Sequence, residues 1–129
     1  MSLPSLLRQQ SFLVRGILII AFMVHGIWNL SSEGLRWWQT GQHLFPPVFS
    51  YLAGMVEILC AVSLYFGKWL KLSTSVLSLM MATAMAIHWP QGFSYKNMGY
   101  EVPMVYLLLC LDLLLARERF RPLHKLFLT

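Results

Sequence analysis

Charge is scarce in this chain, and that scarcity excludes an ordinary water-soluble domain. Charged residues make up 12% of the 129 residues and apolar ones 57%, whereas roughly a quarter of a soluble domain is charged. Too little polar side chain is present to coat a soluble core of this size. Cysteine is scarcer still: Cys60 and Cys110 fall inside apolar runs and form no CxxC or Cys/His cluster. Zinc and dithiol readings are thereby excluded, no metal centre is expected, and both thiols read as small core groups. Basic runs with interleaved aromatics are also missing, so the net charge of +5 and the pI near 9.6 are no sign of a nucleic-acid partner. In a lipid-embedded chain, basic residues collect where loops meet the anionic cytoplasmic leaflet. The N-terminal apolar run lacks a small-x-small cleavage pattern and is too long for a signal peptide, so it reads as a retained helix.

Long apolar sequence is what the chain has in quantity. Four runs can span a bilayer: 12–30, 48–67, 70–89 and 102–116, the last borrowing a first turn from 99–101. The first three have the roughly 20 residues a bilayer needs, and the fourth is short. Pro46-Pro47, Gly67-Lys68, Pro90 and Pro103 punctuate the ends, as expected where the backbone leaves a helix. Trp28, Trp37, Trp38, Trp69 and Trp89 lie at or just beyond those ends, the pattern of an aromatic belt. The expected fold is all-α: a single domain over 1–129, built as a four-transmembrane-helix bundle in a lipid bilayer. Arg8, Arg15, Lys68, Lys71, Arg117, Arg119, Arg121 and Lys125 fall on one side of it, leaving Arg36 and Lys96 for the other. That division predicts an N-in/C-in topology in the bacterial cytoplasmic (inner) membrane. The outward connections are then 31–47 and 90–101, and the tail 120–128 rests on the inner headgroups.

A charge inside a span costs roughly 2.5 kcal/mol or more at the bilayer centre, so each needs a partner, a wet cavity or a task. Glu57 stands in the middle of the second run and shares a helical face with Ser50, Gly54 and Ala61. Small residues admit another backbone, so this face points into the bundle. A carboxyl there must be paired, hydrogen-bonded or protonated, which makes Glu57 either a proton or quinone site or a structural staple. On the first helix, Arg15, Phe22, His25 and Asn29 fall on one arc, the expected partner of Glu57. At about 1.5 Å per residue, Arg15 lies at the depth of Asp112 and His25 slightly above Glu57. Arg15 is therefore expected to pair with Glu57 or Asp112.

His25 can carry a proton, donate to a quinone carbonyl, or rest as a satisfied core histidine. A bis-histidine haem between His25 and His88 is disfavoured, because the two stand at different heights. Glu101 and Asp112 share one face of the fourth helix while Cys110 points nearly opposite, so a Cys60–Cys110 disulfide is not expected. Met80, Met81 and Met85 spread around the third helix and read as packing.

These residues together resemble the DoxX family of small four-helix membrane proteins over nearly the whole chain. Arg15-Gly16 with Phe22, His25 and Gly26 is similar to its first-helix pattern, and Glu57 with Leu64 and Gly67 to its second-helix signature. His88, Gly92 and Gly99-Tyr100-Glu101 with Pro103 resemble the outer end of its third helix and the start of its fourth. The chain departs from the family at Asn29, where a lysine is frequent, and at Ala61, which replaces a common glycine. The resemblance implies an inner-membrane redox-associated subunit in which Glu57, His25 and Arg15 meet a quinone headgroup and move protons while a protein partner supplies electrons. Asn29, His88, Tyr100 and Glu101 are then the residues expected to touch the substrate. The alternative it implies is a non-enzymatic scaffold that recruits a soluble redox or stress-response protein, or assembles as a homo-oligomer.

Overall fold

The computed structural model describes residues 3–115 and Pro122, with residues 3–11 described in backbone only. Five α-helices follow one another: α1 Leu3–Asn29, α2 Ser32–Thr40, α3 Phe49–Phe66, α4 Leu70–His88 and α5 Glu101–Leu115. Two 3-10 turns, Trp89–Gln91 and Tyr95–Asn97, join α4 to α5. No strand occurs among the described residues. Three stretches are long and apolar enough to cross a membrane, Phe12–Asn29, Phe49–Phe66 and Leu70–Gln91. α5 has 15 residues, a rise of about 22 Å, which is less than a hydrocarbon core of about 30 Å.

Two expectations change here. Helix α1 begins at Leu3, ahead of the apolar run, because polar residues can extend a helix beyond the bilayer core at no cost. The connection 31–47 holds a short amphipathic helix, α2, which was not expected from the sequence. Ser31 starts it, its Oγ accepting the Gly34 N–H at 3.2 Å, and Glu33 sits in its positive first turn. The tail 120–128 and the basic residues Arg117, Arg119, Arg121 and Lys125 lie outside the described residues, Pro122 apart.

The distribution of side chains is inverted relative to a soluble bundle. Leu79 is 71% exposed and Leu115 78%, while Arg15, Asn29, Ser50, Glu57 and Thr74 are buried. Only a hydrocarbon solvent makes that arrangement favourable.

The closest helix approach joins α1 to α3. A Cβ on Gly26 would lie 2.8 Å from the Gly54 carbonyl oxygen, and one on Gly54 would lie 2.7 Å from that of Gly26. Glycine at both positions therefore lets the backbones touch, as small-residue crossings do. Helix α3 ends at Gly67, in the left-handed region at φ 70°, and Trp69 at φ 50° completes the reversal into α4. Below the crossing, Leu18, Phe22, Ala61, Leu64, Leu77, Cys110 and Leu113 form the core, with Cys60 and Cys110 as free, buried thiols.

Candidate functional site

The glycine crossing sets the site, because Gly26 and Gly54 are helical neighbours of His25 and Glu57. His25 Nδ1 lies 3.1 Å from both Glu57 Oε1 and Oε2. Asn29, one turn further along α1, donates through Nδ2 to Glu57 Oε2 at 3.1 Å. Its own Oδ1 accepts the indole N–H of Trp38 on α2 at 3.0 Å. The Ser50 hydroxyl donates to the Asn29 carbonyl oxygen at 2.6 Å, tying the same turn to α3.

This network fixes its own protons. An indole nitrogen can only donate, so the Asn29 amide must turn Oδ1 to Trp38 and Nδ2 to Glu57. The Oε2 that it meets is therefore an acceptor. Against Glu57 as the carboxylate, whose oxygens only accept, Nδ1 of His25 carries the hydrogen and donates. The 3.4 Å approach of Asn29 Nδ2 to the same nitrogen then brings two donors together and is no bond. Glu57 is 2% exposed, but His25 is 54% exposed, because its Nε2 edge faces open space.

That space is a cavity of about 610 Å³ bounded by α1, α2, α3 and α4. Phe49, Leu52, Val56, Val76, Leu79 and Ile87 make most of its wall apolar, and His25, Asn29, Glu57, Thr83 and His88 supply the polar points. Leu52 on α3 and Leu79 on α4 line the cavity and are exposed, so its wall is open at these two helices. Indole rings cover one end of it: Trp28 stacks on His25 with centroids 5.7 Å apart, Trp37 lies 6.3 Å from Trp28, and Trp37 stacks on His88 at 5.4 Å.

His25, Glu57, Asn29 and His88 thus share one cavity, and the other expected site residues stand elsewhere. Arg15 is 1% exposed towards the N-terminal part of α1, ten residues or about 15 Å from His25 along the helix. Among the described residues no ion pair joins Arg15 to Glu57 or Asp112. Instead Nε donates to the Leu64 carbonyl oxygen at 3.1 Å, and Nη2 to those of Leu64 at 2.5 Å and Tyr65 at 3.3 Å. These are last-turn carbonyls of α3, which have no partner within their own helix and attract a cation. Asp112 is exposed on α5. Glu101 accepts the Tyr95 backbone N–H at 3.0 Å, and Tyr100 stacks on Trp89 at 4.5 Å. Both therefore organise the α4–α5 connection and do not line the cavity.

Trp28, Trp37 and Trp38, read from the sequence as belt residues, are partly buried around the site, whereas Trp69 and Trp89 are exposed as a belt requires. Met98, which also lines the cavity, carried no signal in the sequence. Among the described residues no group of three or more His, Cys, Asp or Glu is placed to hold a metal ion.

Apolar helices facing outward, with a buried carboxyl paired to a histidine on the wall of a cavity, define a small multi-pass membrane protein. The family model that matches is DoxX, over residues 11–89, and the chain belongs to that family. No curated protein and no solved structure matches it significantly.

Proposed function

We propose that this protein is a redox-associated membrane subunit that binds a quinone headgroup at the His25–Glu57 dyad and passes protons through it while a partner oxidoreductase handles the electrons. The observation that carries the reading is the dyad's position, on the wall of an apolar cavity that is open at α3 and α4. A quinone is dissolved in the bilayer, its ring is flat and apolar apart from two oxygens, and those oxygens exchange protons. A lateral mouth admits such a molecule without passage through water. The Glu57–His25 pair supplies a proton carrier whose far nitrogen reaches the cavity, with Asn29 and Trp38 holding the carboxyl in place. Arg15, bound to α3 carbonyls, supports the fold around the site.

The architecture that goes with this reading is a four-span bundle, N-in/C-in, in a bacterial inner membrane. α5 serves as the short fourth span, since it packs along α4 and buries Cys110 and Leu113. The site then lies in the outer half of the bilayer with α2 on the outer surface. A scaffold role is the second reading, favoured by the polar face of α2, which turns Glu33, Arg36 and Gln39 outward where a soluble partner or a second copy can meet them.

The test is a lipid extract of the protein purified in mild detergent. Quinone should copurify with the parent and be depleted in His25→Ala and Glu57→Ala that still elute as folded protein. Equal quinone in parent and variants, or none in the parent, would remove the first reading and leave the scaffold.

A further inference from the structure

We infer that His88 determines which oxidation state of the ring the cavity takes: it selects a head that carries a hydroxyl, so a hydroquinone is bound ahead of its quinone. The inference rests on the ring-binding reading above.

His88 is the last residue of α4 and stands on the cavity wall. Its Nδ1 lies 2.7 Å from the backbone oxygen of Met98. A carbonyl can only accept, so Nδ1 carries the hydrogen. The neutral imidazole then holds its lone pair on Nε2. Two contacts keep the ring from reversing this assignment. Met98 is itself fixed, in the left-handed region at φ 57° with its N–H on the Tyr95 carbonyl at 3.0 Å, and Trp37 covers the ring face at 25° between planes. No described residue donates to Nε2.

Of the two ring nitrogens of His88, Nε2 alone is therefore left for a ligand, and it is an acceptor. A quinone carbonyl brought against it sets one lone pair facing another, whereas a hydroquinone O–H donates into it. His25 does not discriminate in this way. Its Nδ1–H is spent on Glu57, and its Nε2 accepts from a hydroxyl when the ring is neutral and donates to a carbonyl when the ring is protonated. His25 thus follows the proton, and His88 reads the ligand.

The test is equilibrium dialysis of the purified full chain in detergent against a short-tailed benzohydroquinone and, separately, its benzoquinone, both under anaerobic conditions. The hydroquinone should bind tighter by roughly tenfold or more, the scale of a buried hydrogen bond against two opposed acceptors. In His88→Gln, whose amide can donate as well as accept, the two affinities should converge, chiefly through tighter binding of the quinone. His88→Phe keeps the stack on Trp37 and should weaken the hydroquinone while leaving the quinone unchanged, so the inference is still tested if the glutamine variant fails to fold. Equal affinities in the parent, or tighter quinone binding, would overturn the role of His88 and leave the ring-binding reading standing. Binding of neither compound would remove both.

Discussion

Arg15 and Glu57 are buried charges held by different kinds of partner, and the difference predicts different consequences of losing them. Arg15 satisfies the carbonyls of Leu64 and Tyr65 at the end of α3. Arg15→Met keeps the stem volume but leaves those acceptors unpaired, at about 1–3 kcal/mol. It should lower the melting temperature in detergent while the folded fraction binds ligand as the parent does; lost binding at unchanged stability would return Arg15 to the site. Glu57 answers to donors from two helices, directly from His25 and Asn29 on α1 and through Asn29 from Trp38 on α2. Glu57→Gln retains an oxygen for Asn29 but cannot take a proton from His25, so it should fold normally and abolish proton-linked activity, as activity assays beside a thermal melt would show. Glu57 and His25 were legible as a pair from their helical arcs, and Asn29 from the same arc. The Arg15 expectation failed because depth and arc locate a side chain's neighbourhood but do not count the backbone carbonyls competing for it at a helix end.

At the scale of helices, the glycines separate into those that carry packing and those that do not. A side chain on Gly54 meets the Gly26 carbonyl oxygen at 2.7 Å, whereas one on Gly16 meets nothing within 4 Å. Gly54→Val should therefore push α1 from α3 and dissolve the dyad, seen as aggregation on size-exclusion after mild heating. Gly16→Ala should raise stability by about 0.5–1 kcal/mol through helix propensity alone. Equal responses at the two positions would contradict the crossing. Helix α2 makes the same point about legibility from the other side. With only Leu35, Trp37 and Trp38 as apolar positions, a run of nine residues is too short for periodicity to register. The indole of Trp38 is what joins it to the site. Trp38→Phe should orphan Asn29 Oδ1, cost about 1–2 kcal/mol, and increase proteolytic cleavage within α2; an unchanged cleavage rate would mean that α2 is held by other contacts.

For the molecule as a whole, the apolar runs were legible because lipid imposes length and composition on each helix separately. Their mutual arrangement was not, since the cavity arises where α2 closes a gap that no single segment encodes. A reporter fused after the last residue and another inserted in α2 should report opposite sides of the membrane, and matching signals would discard the N-in/C-in topology. The covering of that gap also has an optical consequence. Trp28, Trp37 and Trp38 are neighbours at 6.2–6.3 Å between ring centroids, close enough for their electronic transitions to mix. They should produce a paired positive and negative band in circular dichroism that Trp69 and Trp89, which have no indole neighbour among the described residues, do not, so the chain carries its own spectroscopic record of whether α2 is seated.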